Sequence, residues 1–204
     1  MSTRRTVLGR RARRGIVGLL IALPLWSVQV GAAAAPPERH CIHPSGGDLN
    51  EFFDTDYRII TDFCPVALVG ERWTPPAIWA TNTTHEAIPE GYTPSRATPM
   101  EDFIAKFVGA RYVIDGGTKH ERTYSFRASQ VLQTGLTVPG TDFPMSAVMA
   151  VLHPLSPGAH TVDVFWTLSA DHWDGFGVDP SANLFPAGEI HCSRTEFTVR
   201  QRDH

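Results

Sequence analysis

Three cysteines and nine histidines are the residues of this 204-residue chain best suited to chemistry. His40-Cys41-Ile42-His43 near one end and His191-Cys192 near the other pair imidazole with thiolate. Four such donors close a tetrahedral zinc site, and the same types suit copper. If the two ends meet, His40, His43 and His191 are the metal ligands. The spacing lacks a paired C-x-x-C or H-x-x-x-H, so the plainer reading is surface histidines beside a disulfide cysteine. No other cofactor is expected.

The second cluster lies in a long loop over 170–189, with Asp171, His172, Trp173, Asp174, Phe176, Asp179, Asn183 and Phe185. Aromatic faces with carboxylates and an amide are what a sugar site uses: apolar faces stack and polar groups orient. Trp173, Asp174, Phe176, Asp179, Asn183 and Phe185 are therefore the candidate ligand-binding residues. Three aspartates also suit calcium, but the D-x-D-x-D-G spacing is missing. The structural alternative is a loop folded on its own aromatics. Catalytic motifs are absent: no G-x-S-x-G, no H-E-x-x-H and no P-loop. A Ser/His/Asp triad needs no sequence proximity and so leaves no trace of this kind.

These groups sit in a chain with the marks of export. Arg4, Arg5, Arg10, Arg11, Arg13 and Arg14 precede an uncharged stretch, Gly15 to Ala35, whose apolar centre is Ile16–Trp26. It closes on Gly31-Ala32-Ala33-Ala34-Ala35, the small residues a signal peptidase needs, so residues 1–34 read as a signal peptide. The stretch is also long enough for an uncleaved anchor. Thr3-Arg4-Arg5-Thr6-Val7-Leu8 resembles a twin-arginine signal, which leaves the export route open. Six of the 18 Lys+Arg and none of the 21 Asp+Glu precede Ala35, leaving 12 against 21, a net of −9. That balance opposes binding to nucleic acid, and no membrane association is expected once the signal is removed.

Outside the cytoplasm, two of Cys41, Cys64 and Cys192 should pair and one is left over. Of three possible pairings Cys41–Cys64 is expected, because a short helix and a strand return the chain easily. Cys41–Cys192 would close a larger loop but requires the N-terminal segment to reach the last strand.

The positioning elements are mostly strands. Asp48-Leu49-Asn50-Glu51 is a capping box opening a turn or two of helix. Thr98-Pro99-Met100-Glu101 opens a second helix across 99–107, with Met100, Phe103, Ile104 and Phe107 at helical spacing. Residues 57–63 alternate, with Tyr57, Ile59 and Phe63 on one side, and predict a strand. Asn82-Thr83-Thr84 is a glycosylation sequon, meaningful only in a secreted eukaryotic protein. Asp115-Gly116-Gly117 is a hairpin signal, with residues 121–127 returning from it. Residues 147–152 are apolar on both faces, as in a central strand. His160 to Leu168 alternates with His160, Val162, Val164, Trp166 and Leu168 inward, and His160 reads as a core histidine bonded to a neighbouring turn. The last strand, 190–199, turns Phe197 and Val199 inward.

The stretch His153-Pro154-Leu155-Ser156-Pro157-Gly158-Ala159-His160-Thr161-Val162-Asp163-Val164 resembles the penultimate strand of bacterial immunoglobulin-like domains with the corner that precedes it. With the Tyr112-Val113-Ile114-Asp115-Gly116-Gly117 hairpin, most of the chain after the signal resembles uncharacterised exported actinobacterial proteins. That resemblance implies an immunoglobulin-like antiparallel β-sandwich over 101–204, with one or two short helices and residues 35–100 packed on it. It brings no catalytic residues. The expected function is a secreted, non-enzymatic binding or structural module, its partner a carbohydrate or another envelope component. The alternative is an extracellular hydrolase or metal protein using His40, His43 and His191.

Overall fold

The computed structural model describes residues 40–202. The signal sequence, its cleavage point and the twin-arginine-like motif lie outside the described residues. Short elements come first: α1 (Leu49–Phe52), β1 (Arg58–Ile59), β2 (Val66–Leu68), β3 (Trp73–Thr74) and β4 (Ala77–Ala80). Next are α2 (Pro99–Lys106), β5 (Phe107–Ile114), β6 (Arg122–Arg127), α3 (Ala128–Val131), β7 (Leu132–Thr137) and β8 (Pro144–Val148). The chain closes with β9 (Gly158–Leu168), β10 (His172–Trp173), α4 (Pro180–Asn183), β11 (Leu184–Phe185) and β12 (Gly188–Arg200).

The chain is mostly β. A five-stranded sheet runs β2-β12-β9-β5-β6, and a three-stranded sheet runs β4-β8-β7. The long pairs are antiparallel, as expected, but β2 lies parallel to β12 and β1 parallel to β3. Residues before 100 thus supply an edge strand to each sheet. One core draws on both sheets: Tyr112, Val162, Val164, Trp166 and Phe197 from the larger, Ala77 and Val148 from the smaller. Complete burial of side chains this size stabilises by roughly 1.5–3 kcal/mol each. Phe103 of α2 (0 % exposed) stacks among Phe107, Trp166 and Trp79, pinning the helix to that core.

The long α2 and the β5–β6 hairpin follow their sequence signals. Thr98 Oγ1 accepts from the Glu101 N–H, and the Glu101 carboxylate accepts from the Thr98 N–H. The helix ends at Lys106 and Phe107 opens β5 directly. In the hairpin turn, Asp115 (φ 54°) and Gly117 (φ 76°) take the left-handed backbone that reverses the chain. β9 buries Val162, Val164, Trp166 and Leu168, as its alternation requires.

Four expectations need correction. Four short helices, α1 to α4, are present among the described residues rather than one or two. The 57–63 strand is only Arg58–Ile59, because Thr61 and Cys64 exchange backbone hydrogen bonds across a turn. Ile59 is buried as expected, but Ile60 is buried too and Phe63 is 41 % exposed, so the alternation breaks after Ile59. The apolar run at 147–152 lies in the central strand β8 of its sheet, but that strand ends at Val148. Leu152 then bridges to Trp73 of β3.

The expected disulfide, Cys41–Cys64, is present with its Cα atoms 5.8 Å apart. Around it Phe53, Ile59, Met145 and Ala147 form a second apolar cluster, which ties the first described residues to β8. Cys192 is free and sits at the β12 bulge between His191 and Ser193, which turns it toward the main core. No helix among the described residues is long and apolar enough to cross a membrane.

Candidate functional site

The densest group of titratable side chains surrounds Asp102, 0 % exposed on α2. Its Oδ2 accepts from Lys106 Nζ (2.6 Å), Tyr92 Oη (2.8 Å) and His172 Nδ1 (3.1 Å). Its Oδ1 accepts from the Ser95 N–H and Oγ, both at 2.7 Å. Lys106 Nζ also donates to Tyr92 Oη (2.8 Å) and to the Asp171 carbonyl (2.7 Å), so its three protons are used. The Trp79 indole N–H donates to His172 Nε2 at 3.0 Å, which fixes a neutral ring with its proton on Nδ1. Burial alone would raise the Asp102 carboxyl, but donors from His172, Lys106, Ser95 and Tyr92 outweigh it and hold the acid well below its usual range. Burial lowers His172, against the pull of Asp102. Burial first, then the neighbouring Asp102, raises Tyr92. The group has catalytic residue types and no open valence.

His160 is the second carboxylate-backed histidine. Its Nδ1 meets Asp115 Oδ2 (2.8 Å) in the hairpin turn, and its Nε2 meets the Ser156 backbone carbonyl (2.9 Å). A general base needs a ring nitrogen facing a hydroxyl or thiol. Here both nitrogens face acceptors, so the ring braces β9 against two turns. His40 pairs with Asp48, and His191 Nε2 with Asp163 Oδ1 at 2.9 Å, both at the surface. His43 meets a hydroxyl, Ser45 Oγ at 2.7 Å, but within one exposed turn and with no carboxylate among its hydrogen-bond partners.

The metal candidates are therefore not assembled. His40, His43 and His191 are engaged with Asp48, Ser45 and Asp163 respectively. Among the described residues no three His, Cys, Asp or Glu side chains are grouped to hold a metal ion. Cys41 and Cys64 are joined to each other, and burial pushes the Cys192 thiol up to about 12.

The 170–189 candidates are engaged within the loop and in packing it on the rest of the fold. Trp173 is buried and its indole N–H donates to the Gly177 carbonyl. Asp174 is buried too, accepting from the Phe176 N–H (2.8 Å) and Asn183 Nδ2 (3.0 Å). Asp179 caps α4 through Ser181. Phe185 packs on Trp79 and Trp166. Phe176 is 45 % exposed and meets Phe143 edge-on. The loop's aromatics pack on Tyr92, Trp79, Phe143 and Trp166 outside it, and none of these six residues lines the groove at the 155–161 corner. Asn82 of the sequon is half-buried and its Nδ2 donates to the Gly175 carbonyl at 3.1 Å, so that amide is already engaged within the fold.

The groove, about 780 Å³, lies where β9 and β12 run past the end of β5. Its walls are the 115–122 hairpin turn, the 155–161 corner, the end of β12 and the start of β2. Arg122, Arg194 and Arg200 line it together with His120, His160, Asp115 and Glu196. Pro65, Val66, Leu155 and Pro157 supply apolar surface. The size is that of an ordinary ligand cleft. Sequence reasoning missed it because its walls come from four separated segments. It did single out two of them, the hairpin and the corner, as turns.

Comparisons with protein-family models, with curated proteins and with solved structures found no match to this chain.

Proposed function

We propose that this protein is an exported, non-enzymatic binding module, built as an immunoglobulin-like sandwich, whose ligand surface is the 780 Å³ groove at the end of the five-stranded sheet. One observation carries the reading. The groove is open, while the carboxylate-backed histidines His172 and His160 have both ring nitrogens engaged by carboxylates, an indole N–H and a backbone carbonyl rather than by a hydroxyl or thiol. The groove offers arginine and turn residues for recognition, and among the described residues neither His120 nor His160 has its ring hydrogen-bonded to a hydroxyl or thiol. The Cys41–Cys64 bond fits an oxidising compartment, as does the arginine-led, alanine-ended start of the chain. Two mostly antiparallel sheets sharing one core, with the corner at 153–164, support the immunoglobulin-like reading of the fold.

The test joins binding to turnover. A glycan array probed with the protein should give a set of related hits, while chromogenic ester and glycoside panels give no turnover above buffer. Sustained hydrolysis abolished by His160→Ala would make the protein a hydrolase and end the non-enzymatic reading.

A further inference from the structure

We infer that the groove takes an acidic oligosaccharide, with Arg122, Arg194 and Arg200 meeting its anionic groups and the apolar wall beside them meeting its ring faces. This rests on the groove being the ligand surface and adds the class of ligand. The charge of the groove stands against that of the rest of the chain. Beyond residue 35 the chain carries 12 Lys+Arg against 21 Asp+Glu, yet the groove gathers three arginines and two carboxylates. Of the two acids, Asp115 is already engaged by His160 Nδ1 at 2.8 Å and by the Thr161 N–H at 3.0 Å. Arg194 is shared with Asp163 at 3.2 Å, whereas Arg122 and Arg200 make no ion pair among the described residues. Both are exposed, on β6 and at the end of β12, on two sides of the same concavity.

Guanidinium groups recognise carboxylate and phosphate oxygens through paired N–H donors, which favours an anion held by more than one arginine. Pro65, Val66, Leu155 and Pro157 give the non-polar surface against which a sugar ring packs. The volume of about 780 Å³ is that of a few sugar units rather than of a single small ion. Glu196 is the one groove carboxylate without a hydrogen-bond partner among the described residues, and it opposes an anionic ligand.

The test is calorimetric titration of the protein, expressed from the full chain, with three probes. They are trigalacturonate, its fully methyl-esterified form, and maltotriose carrying a phosphate ester. At least one acidic probe should bind, at least tenfold more tightly than the ester, and weaken as salt is raised. The preferred acid identifies carboxylate or phosphate as the source of the anion. Arg122→Glu with Arg200→Glu should weaken that binding tenfold or more without moving the thermal melt, since both side chains are exposed. Glu196→Gln should tighten it. Binding to neither acid, equal binding of the ester, or indifference to the arginine pair overturns the inference. Neutral-glycan hits without turnover would then leave the binding-module reading standing. Shortening of the bound oligosaccharide would instead overturn the non-enzymatic reading.

Discussion

Replacing Lys106 by Met is the sharpest perturbation of the fold that this structure offers. Methionine keeps most of the length of the side chain and removes its charge. Lys106 is 8 % exposed at the side chain and its partner Asp102 is 0 % exposed. The substitution removes the donor at 2.6 Å and leaves the carboxylate with neutral donors from His172, Tyr92 and Ser95. Those satisfy its lone pairs but do not neutralise its charge. Breaking a buried pair from one side costs about 3–5 kcal/mol, because an uncompensated charge stays inside. For a domain of this size each kcal/mol moves the melting temperature by about 2–4 °C, so a fall of about 6–20 °C is expected. Thermal melts with matching denaturant titrations would measure it. Asp102→Asn combined with Lys106→Met should cost less than the two single changes added, with coupling of about 0.5–3 kcal/mol. A single-variant cost under about 1 kcal/mol, or strict additivity, would refute the claim that this pair is buried and mutually dependent.

Other perturbations test other parts of the structure. His172 is held below its unfolded value, so the unfolded chain takes up protons first as pH falls through about 6.5. Stability from this group is therefore full above that pH and declines below it until the folded ring protonates; melts of the wild type and of His172→Gln between pH 8 and pH 5 should converge at the acid end. Removing the Cys41–Cys64 bond, which closes a separation of 23 residues, should cost about 3 kcal/mol by chain entropy, read from melts of the Cys41→Ser, Cys64→Ser protein. Cys192, raised to about 12 by burial, should resist iodoacetamide at pH 8 in the folded protein and react promptly in denaturant, as mass spectrometry would record. Gly109→Ala puts a β-carbon against the Phe126 carbonyl oxygen across the β5–β6 pair and should lower stability by about 1–3 kcal/mol in a denaturant titration.

What could be read from the sequence was local. The capping box at Thr98–Glu101, the hairpin at Asp115–Gly117, the alternation of β9 and the short return from Cys41 to Cys64 each carry their signal within a few neighbours or one closed loop. Tyr57 to Phe63 misled, because a turn at Thr61–Cys64 interrupts an alternation that composition alone continues. The parallel contact of β2 with β12 joins residues more than 130 positions apart, and neither strand's pattern specifies that edge. Asp102 and Lys106 stand four apart on α2, the spacing of an ordinary surface ion pair. Their burial comes from Tyr92, Ser95 and the 171–173 segment folding over them, which no property of the helix announces. His172 was visible only as one member of an aromatic loop, and its role is set by Trp79, 93 residues away. The groove was hidden for the same reason: Arg122, Arg194 and Arg200 are scattered in sequence and converge only when the sheet forms.

The most direct measurement of the central claim is an amide chemical-shift map of the isotope-labelled protein titrated with trigalacturonate and with the phosphorylated maltotriose, the probe followed in the same tube. Saturable shifts are expected for at least one probe, confined to residues 115–122, 155–161 and 194–200, with the probe intact at the end of the titration. Shifts centred on residues 171–186 instead, or breakdown of the probe as the titration proceeds, would contradict it.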